Sequence, residues 1–230
     1  MKKPDRNTPG ALLAAAAVSG LLLLALPMEL SAQKYPAKTV RLIVPFPAGG
    51  GTDVQARVLA KEFQDQLGQN FLVDNRAGAS GLIGAELVVN APPDGYNFLF
   101  TTATISIVPA LYGASMKFQP SKDLQPVSWV STTPLVLVVH PSVPAKSPQE
   151  MIALGRAKPG VLNAAINVAG STSHLSAEMF KQLGKLTVTT VPYKGGGLSM
   201  VAVMGGEVDF QFAEAVLASP QMRATKIRAL

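Results

Sequence analysis

The chain has 230 residues, 48% hydrophobic and 15% charged, a balance that excludes disorder and allows one large or two small domains. The net charge is +6, but lysines and arginines are scattered and aromatics make up only 6%, so a nucleic-acid surface is not expected. With no cysteine and only His140 and His174, a catalytic thiol, a cysteine-held metal and a histidine-rich metal site are all excluded.

Residues 1–32 read as a secretory signal peptide. Lys2, Lys3 and Arg6 form a basic start, Ala11 to Leu26 an apolar stretch, and cleavage is expected after Ala32. The apolar stretch is short for a spanning helix, so export is favoured over anchoring.

The next stretch organises the rest. Val40 to Val44 suits a buried strand, which Pro45 and Pro47 end because proline lacks the N–H that a ladder needs. Ala48 to Gly51 is a loop almost without side chains. Thr52 is expected to cap a helix starting near Asp53 and reaching Leu67 and Gly68. Strand, bare loop and helix start outline an anion site, although the same glycines can simply make a tight turn.

Strands are then expected at Phe71–Val73 and Phe98–Thr102, with a helix over Leu82–Val89 between them. That alternation implies a parallel sheet covered by helices on both faces. Ile105 to Tyr112 is ambiguous, and Met116 to Gln125 reads as loop. The pattern restarts with strands at Val127–Val130 and Leu135–Val139, or one long strand interrupted at Thr133-Pro134. A helix follows Pro148, and a strand spans Leu162–Ile166. Gly170 to Ser173 leads a helix through Leu183, and Thr187–Val191 is a strand. A glycine-rich loop over Tyr193–Gly197 precedes a helix from Leu198 to Met204. Val208–Phe212 and the segment from Lys226 complete the strands. The expected architecture is α/β with two lobes, residues 33–126 and 127–230, and a ligand cleft beyond the carboxyl ends of the strands.

Six phrases carry a resemblance: Y-P-A-K-T-V-R-L-I-V-P-F-P-A-G-G-G-T-D, V-D-N-R-A-G-A-S-G-L-I-G, A-P-P-D-G-Y, H-P-S-V-P-A-K-S, G-S-T-S-H-L and V-P-Y-K-G-G-G. Together they resemble the periplasmic solute receptors of tripartite tricarboxylate transporters, the Bug-type receptors, over nearly everything after residue 32. The resemblance implies a type II periplasmic-binding-protein-like fold whose lobes close on a small carboxylate, held largely through backbone N–H groups and waters. It implies a monomer that passes a mono-, di- or tricarboxylate to the membrane subunits of a secondary transporter. No enzyme activity, cofactor, metal or nucleic acid is implied. Family members continue past residue 230, so a missing return segment and an exposed sheet edge are expected. Where the family carries small, often polar residues, this chain has Ile166 and Val168, which implies a more apolar ligand body.

The expected ligand contacts are Phe46, Ala48, Gly49, Gly50, Thr52, Asp53, Thr102, Ser106, Ser171, Thr172, Ser173, Tyr193 and Gly195. Phe46 can wall a ligand or pack against the helix. Asp53 can bind ligand through water, or hold the loop at a helix start. The hydroxyls of residues 171–173 can cap a helix and receive a carboxylate together. His174 is expected to pair with Glu178 one turn on, not to serve a Ser–His dyad, since no G-x-S-x-G elbow is present. A hydrolase or isomerase would need an acid, base or nucleophile in the cleft, and Asp53, His174 and Asp209 are the candidates. A nucleotide loop would need a G-K-[ST] ending, which residues 48–53 lack. A receptor that signals to a sensor stays open beside one that feeds transport.

Overall fold

A computed structural model of the chain describes residues 34–230. The signal segment expected over residues 1–32 lies outside the described residues. The unit built below spans Lys38–Leu230.

The first sheet comes from three short strands. They are β1 (Val40–Val44), β2 (Phe71–Asn75) and β3 (Asn97–Leu99), in the order β2-β1-β3 and all parallel. The helices α1 (Gly51–Leu67) and α2 (Leu82–Val89) are the crossovers that parallel neighbours require. Val40, Leu42 and Phe71 pack under Ala60 of α1, with Phe63 beside them. Arg41 is the exposed residue of β1 and forms an ion pair with Asp74 of β2. β3 is shorter than expected. Thr102 leaves the ladder, and its Oγ1 bonds the Thr104 hydroxyl and backbone N–H, which turns the chain into α3 (Thr104–Tyr112).

Gly84 shows how closely α2 approaches β1. A Cβ there would lie 2.8 Å from Pro45 Cβ and 2.9 Å from the Arg76 carbonyl oxygen, so backbone would have to move. Gly84→Ala is expected to cost roughly 1–2 kcal/mol through overpacking, read as a lower denaturant midpoint at unchanged slope. An unchanged midpoint would mean that α2 slides freely on the sheet.

Between the sheets, a 3₁₀ turn (Gly113–Ser115) follows α3, and α4 (Pro120–Asp123) interrupts the loop expected over Met116 to Gln125. Pro120 occupies the first turn, and the Asp123 carboxylate accepts the Gln119 N–H at 2.6 Å. Val127–Val130 is not a strand. Val127 is 75% and Trp129 82% exposed, and Trp129 Nε1 donates to the Ser131 carbonyl at 2.8 Å, a local bond in place of a ladder. Apolar residues without a partner edge do not make a strand.

The second sheet holds β4 (Leu135–Val139), β5 (Leu162–Ile166), β6 (Val188–Pro192), β7 (Phe210–Glu214) and β8 (Arg228–Ala229), ordered β6-β5-β7-β4-β8. β5, β6 and β7 are parallel, but β4 runs antiparallel to β7 and β8, so this sheet is mixed and not a copy of the first. Hydrophobic pattern records burial and carries no strand direction. The pleat sends Leu137, Val139, Ala164 and Phe210 to one side, against Met151 of α5 (Pro148–Ala157) and Ala177 of α6 (Thr172–Gly184). Val138, Ala165 and Ala213 face the other side, against Met200 and Val203 of α7 (Gly196–Met204) and Ala218 of α8 (Ala215–Arg223). Both faces are covered, which is why these strands read as continuous apolar runs.

Candidate functional site

α1 begins one residue after Gly50, which has no side chain to cap it, and Thr52 lies inside the first turn. The expected Thr52 cap is therefore corrected. The strand ends at Pro45 and the helix closes too soon for a hydroxyl at 52 to reach back. The first N–H groups of an α-helix have no intrahelical partner, so this end is a bare donor cluster with the positive end of the helix dipole behind it.

Asp53 sits in that first turn, 3% exposed, and faces inward. Its carboxylate accepts the Gly49 N–H at 2.9 Å, Arg57 Nε at 3.0 Å and Asn75 Nδ2 at 3.0 Å, and Asn75 also donates to the Phe46 carbonyl at 3.1 Å. Burial alone would raise its pKa. The hydrogen bonds from Arg57, the Gly49 N–H and Asn75 outweigh it and hold the carboxyl below its ordinary value. Asp53 thus holds the loop from beneath and is not a cleft residue. The same bond commits the Gly49 N–H, so Gly49 meets the cleft by its position and not by that donor.

α7 repeats the device from the second sheet. Its N-cap is Gly195, again without a side-chain cap, and its first two residues are Gly196 and Gly197. Gly195 has φ +155, a conformation close to exclusive to glycine. The two glycine loops meet. A Cβ on Gly197 would lie 3.3 Å from the Gly49 carbonyl oxygen, and one on Gly195 would lie 3.0 Å from Pro47 Cδ.

α6 supplies a further helix start. Ser171 is its N-cap and accepts the His174 N–H at 3.2 Å, as its sequence suggested. His174 Nδ1 accepts the Gly170 N–H at 3.1 Å, and Nε2 stands 3.7 Å from Glu178. The imidazole is thereby tied into its own helix start, and its Nδ1 lone pair cannot serve a nucleophile.

The N-terminal turns of α1, α6 and α7 open onto one cleft of about 310 Å³. Of the expected ligand contacts, Phe46, Ala48, Gly49, Gly50, Thr52, Thr102, Ser171, Thr172 and Gly195 line it. Val168 lines it too, whereas Ile166 is 3% exposed and belongs to the core. Among the expected contacts, Ser106 is exposed on the third residue of α3 and does not line the cleft. Ser173 is fully buried behind Ser171 and Thr172 because the helix turns it inward. Tyr193 packs against the α7 side of the second sheet, and its N–H donates to the Ile166 carbonyl at 2.9 Å.

Sequence reasoning missed Thr104, Asn167, Leu198, Val201 and Glu214, which also line the cleft. Asn167 Oδ1 accepts the Ser199 hydroxyl at 2.9 Å, which ties the end of β5 to the start of α7. Glu214 is the sole charged side chain among the described residues of the lining. It ends β7 and precedes α8, yet does not cap it. Its Oε2 would lie 1.5 Å from a Cβ on Gly51, so the carboxylate rests directly on the start of α1. That oxygen is buried with no hydrogen-bond partner among the described residues, and burial pushes the carboxyl above its ordinary pKa. No motif marks Glu214. The signal available was that it ends a strand on the side where cleft loops gather.

The chain is similar to known proteins. The family model described as tripartite tricarboxylate transporter family receptor matches residues 55–230. Protein BugT of Bordetella pertussis is 41% identical over 203 residues, which cover 87% of this chain and 62% of BugT. An R. palustris protein solved with adipate superposes with a TM-score of 0.82 at 36% identity, over 85% of this chain and 66% of that one. MatC of Rhodopseudomonas palustris, solved with malate, gives 0.75 at 30% identity over the same shares. The chain therefore spans a little under two thirds of the length of these relatives.

Proposed function

This chain belongs to the tripartite tricarboxylate transporter receptor family, and from that premise we propose that it is a periplasmic solute receptor for a small organic carboxylate. The ligand lies between two lobes, residues 33–126 and 127–230, and closure traps it for delivery to membrane subunits of a secondary transporter. The reading is of a monomer without enzymatic activity.

One observation carries this reading. The starts of α1, α6 and α7 converge on a single cleft whose described lining contains no lysine, arginine or histidine. An anion there is held by preorganised N–H donors and helix dipoles, which suit a carboxylate at little desolvation cost. Phe46, Val168, Leu198 and Val201 give the remaining ligand atoms an apolar wall. The adipate and malate bound by two relatives are carboxylates of this size class.

A thermal-shift screen of small carboxylic acids against their neutral amides tests the reading. At about 100-fold excess over Kd, an acid adds about 2.7 kcal/mol and raises the midpoint by roughly 5–10 °C, while its amide leaves it unmoved. Equal shifts with acid and amide would sink the carboxylate clamp. Catalytic turnover of the bound acid would sink the receptor role.

A further inference from the structure

The cleft already meets the needs of a ligand carboxylate through helix N–H groups, and then adds one feature that opposes an anion. Glu214 projects into it from the end of β7, and its Oε2 lies against Gly51 at the start of α1. This oxygen is buried and accepts no hydrogen bond from the described residues. A carboxylate left in that state costs free energy that a chain with no use for it could avoid with a neutral residue. It does not cap α8, whose start it occupies, so helix capping does not explain it.

An ionised carboxylate is an acceptor only, and what satisfies it is a donor. The described residues of the lining offer it no lysine, arginine or histidine. No described residue donates to Oε2, the lining hydroxyls and the Asn167 amide included, which leaves the ligand to supply a donor to this carboxylate. Resting on the receptor proposed above, the geometry points to Glu214 as a specificity residue that selects carboxylic acids carrying an ammonium or hydroxyl donor close to the carboxylate, that is, amino and hydroxy acids over plain acids. The carboxylate goes to the helix starts. The donor goes to the Glu214 carboxylate and offsets the repulsion that a plain diacid meets there.

The test is calorimetric titration of the full chain with matched series: succinate, malate and aspartate; glutarate, 2-hydroxyglutarate and glutamate; 3-phenylpropionate, phenyllactate and phenylalanine. In at least one series the donor-bearing acid is expected to bind about tenfold or more tighter than the plain acid, as a charge-assisted hydrogen bond implies. Glu214→Met keeps length and removes the acceptor, and is expected to bring the members of that series within about twofold of one another, chiefly by weakening the donor-bearing acid. Glu214→Gln keeps an acceptor without charge, and is expected to weaken the amino acid more than the hydroxy acid. Circular dichroism melts establish that both variants fold. Equal affinity for plain and donor-bearing acids in the native chain overturns the inference while leaving the receptor intact. So does a preference that survives Glu214→Met. Plain-acid binding that tightens as pH falls in the native chain but not in Glu214→Gln also overturns it, because Glu214 is then itself the donor. No binding by any acid overturns the receptor reading, and this inference with it.

Discussion

Replacing Asp53 by alanine is expected to cost the fold about 3 kcal/mol, a drop in melting midpoint of roughly 6–10 °C, and to abolish ligand binding. The size follows from what the carboxylate holds. It accepts the Gly49 N–H, Asn75 and Arg57 while only 3% exposed. Hydrogen bonds to a charged group are worth about 1.5–3 kcal/mol each, and the orphaned Gly49 N–H adds its own penalty. The Arg57 ion pair decides little. Its side chain is 55% exposed, and exposed pairs are typically worth under about 1 kcal/mol. Arg57→Ala is therefore the contrasting variant, and a loss equal to that of Asp53→Ala would sink this partition. Binding is lost because residues 46–50 are held in place through Asp53 and Asn75, and without them the bare helix start no longer faces the cleft.

The same residue sets a pH dependence with a definite sign. Asp53 has a depressed pKa in the folded chain, so its contribution is complete above the ordinary carboxylate value of about 3.9 and is lost as pH falls through the folded value. The stability gap between the native chain and Asp53→Ala should then be flat near neutrality and shrink in acid. Glu214 acts in the opposite sense. Its folded pKa is raised, so it removes stability as pH climbs from the ordinary carboxylate range through the folded value. A gap for Asp53→Ala that widened in acid would contradict the assignment.

The β1–α1 unit was readable because its signals are local. Pro45, Pro47 and the glycines end a strand, and Gly68, with φ +68, ends the helix. Ser171 was readable as a cap for the same reason. The start of α7 was not. Gly196 and Gly197 are poor helix formers, each costing about 1 kcal/mol against alanine, and local propensity pushes the expected start on to Leu198. What overrides propensity is tertiary. A Cβ at Gly196 would lie 3.2 Å from Asn167 Nδ2, and one at Gly197 would lie 3.3 Å from the Gly49 carbonyl oxygen, so glycines here let α7 start close against its neighbours. α8 stayed unread because Pro220 interrupts its pattern. Glu214 stayed unread because a β-strand pairing, Leu135 with Glu214, and the approach of Gly51 from the first sheet give it meaning. Neither is local in sequence. Loops that shape themselves are legible, and contacts between distant loops are not.

Those contacts also give a large expected effect on binding, one separable from stability. Gly197→Val is expected to weaken carboxylate binding by at least about 100-fold while changing stability by less than about 1 kcal/mol. The β-carbon alone would sit 3.3 Å from the Gly49 carbonyl oxygen and 3.9 Å from the Gly50 nitrogen, and the γ-carbons of valine have to enter the space between the starts of α1 and α7. None of the three hydrophobic clusters contains Gly197, so each sheet keeps its packing and the loss falls on the approach of the two glycine loops. Gly195→Ala behaves differently. Its φ of +155 is strained for any residue with a side chain, and its Cβ would press on Pro47, so it is expected to lose about 1–3 kcal/mol of stability along with affinity. Calorimetric titration and urea melts on both variants separate the two effects. Native affinity in Gly197→Val would mean that the ligand is held with these loops apart, and that the convergence of helix starts is not what grips it.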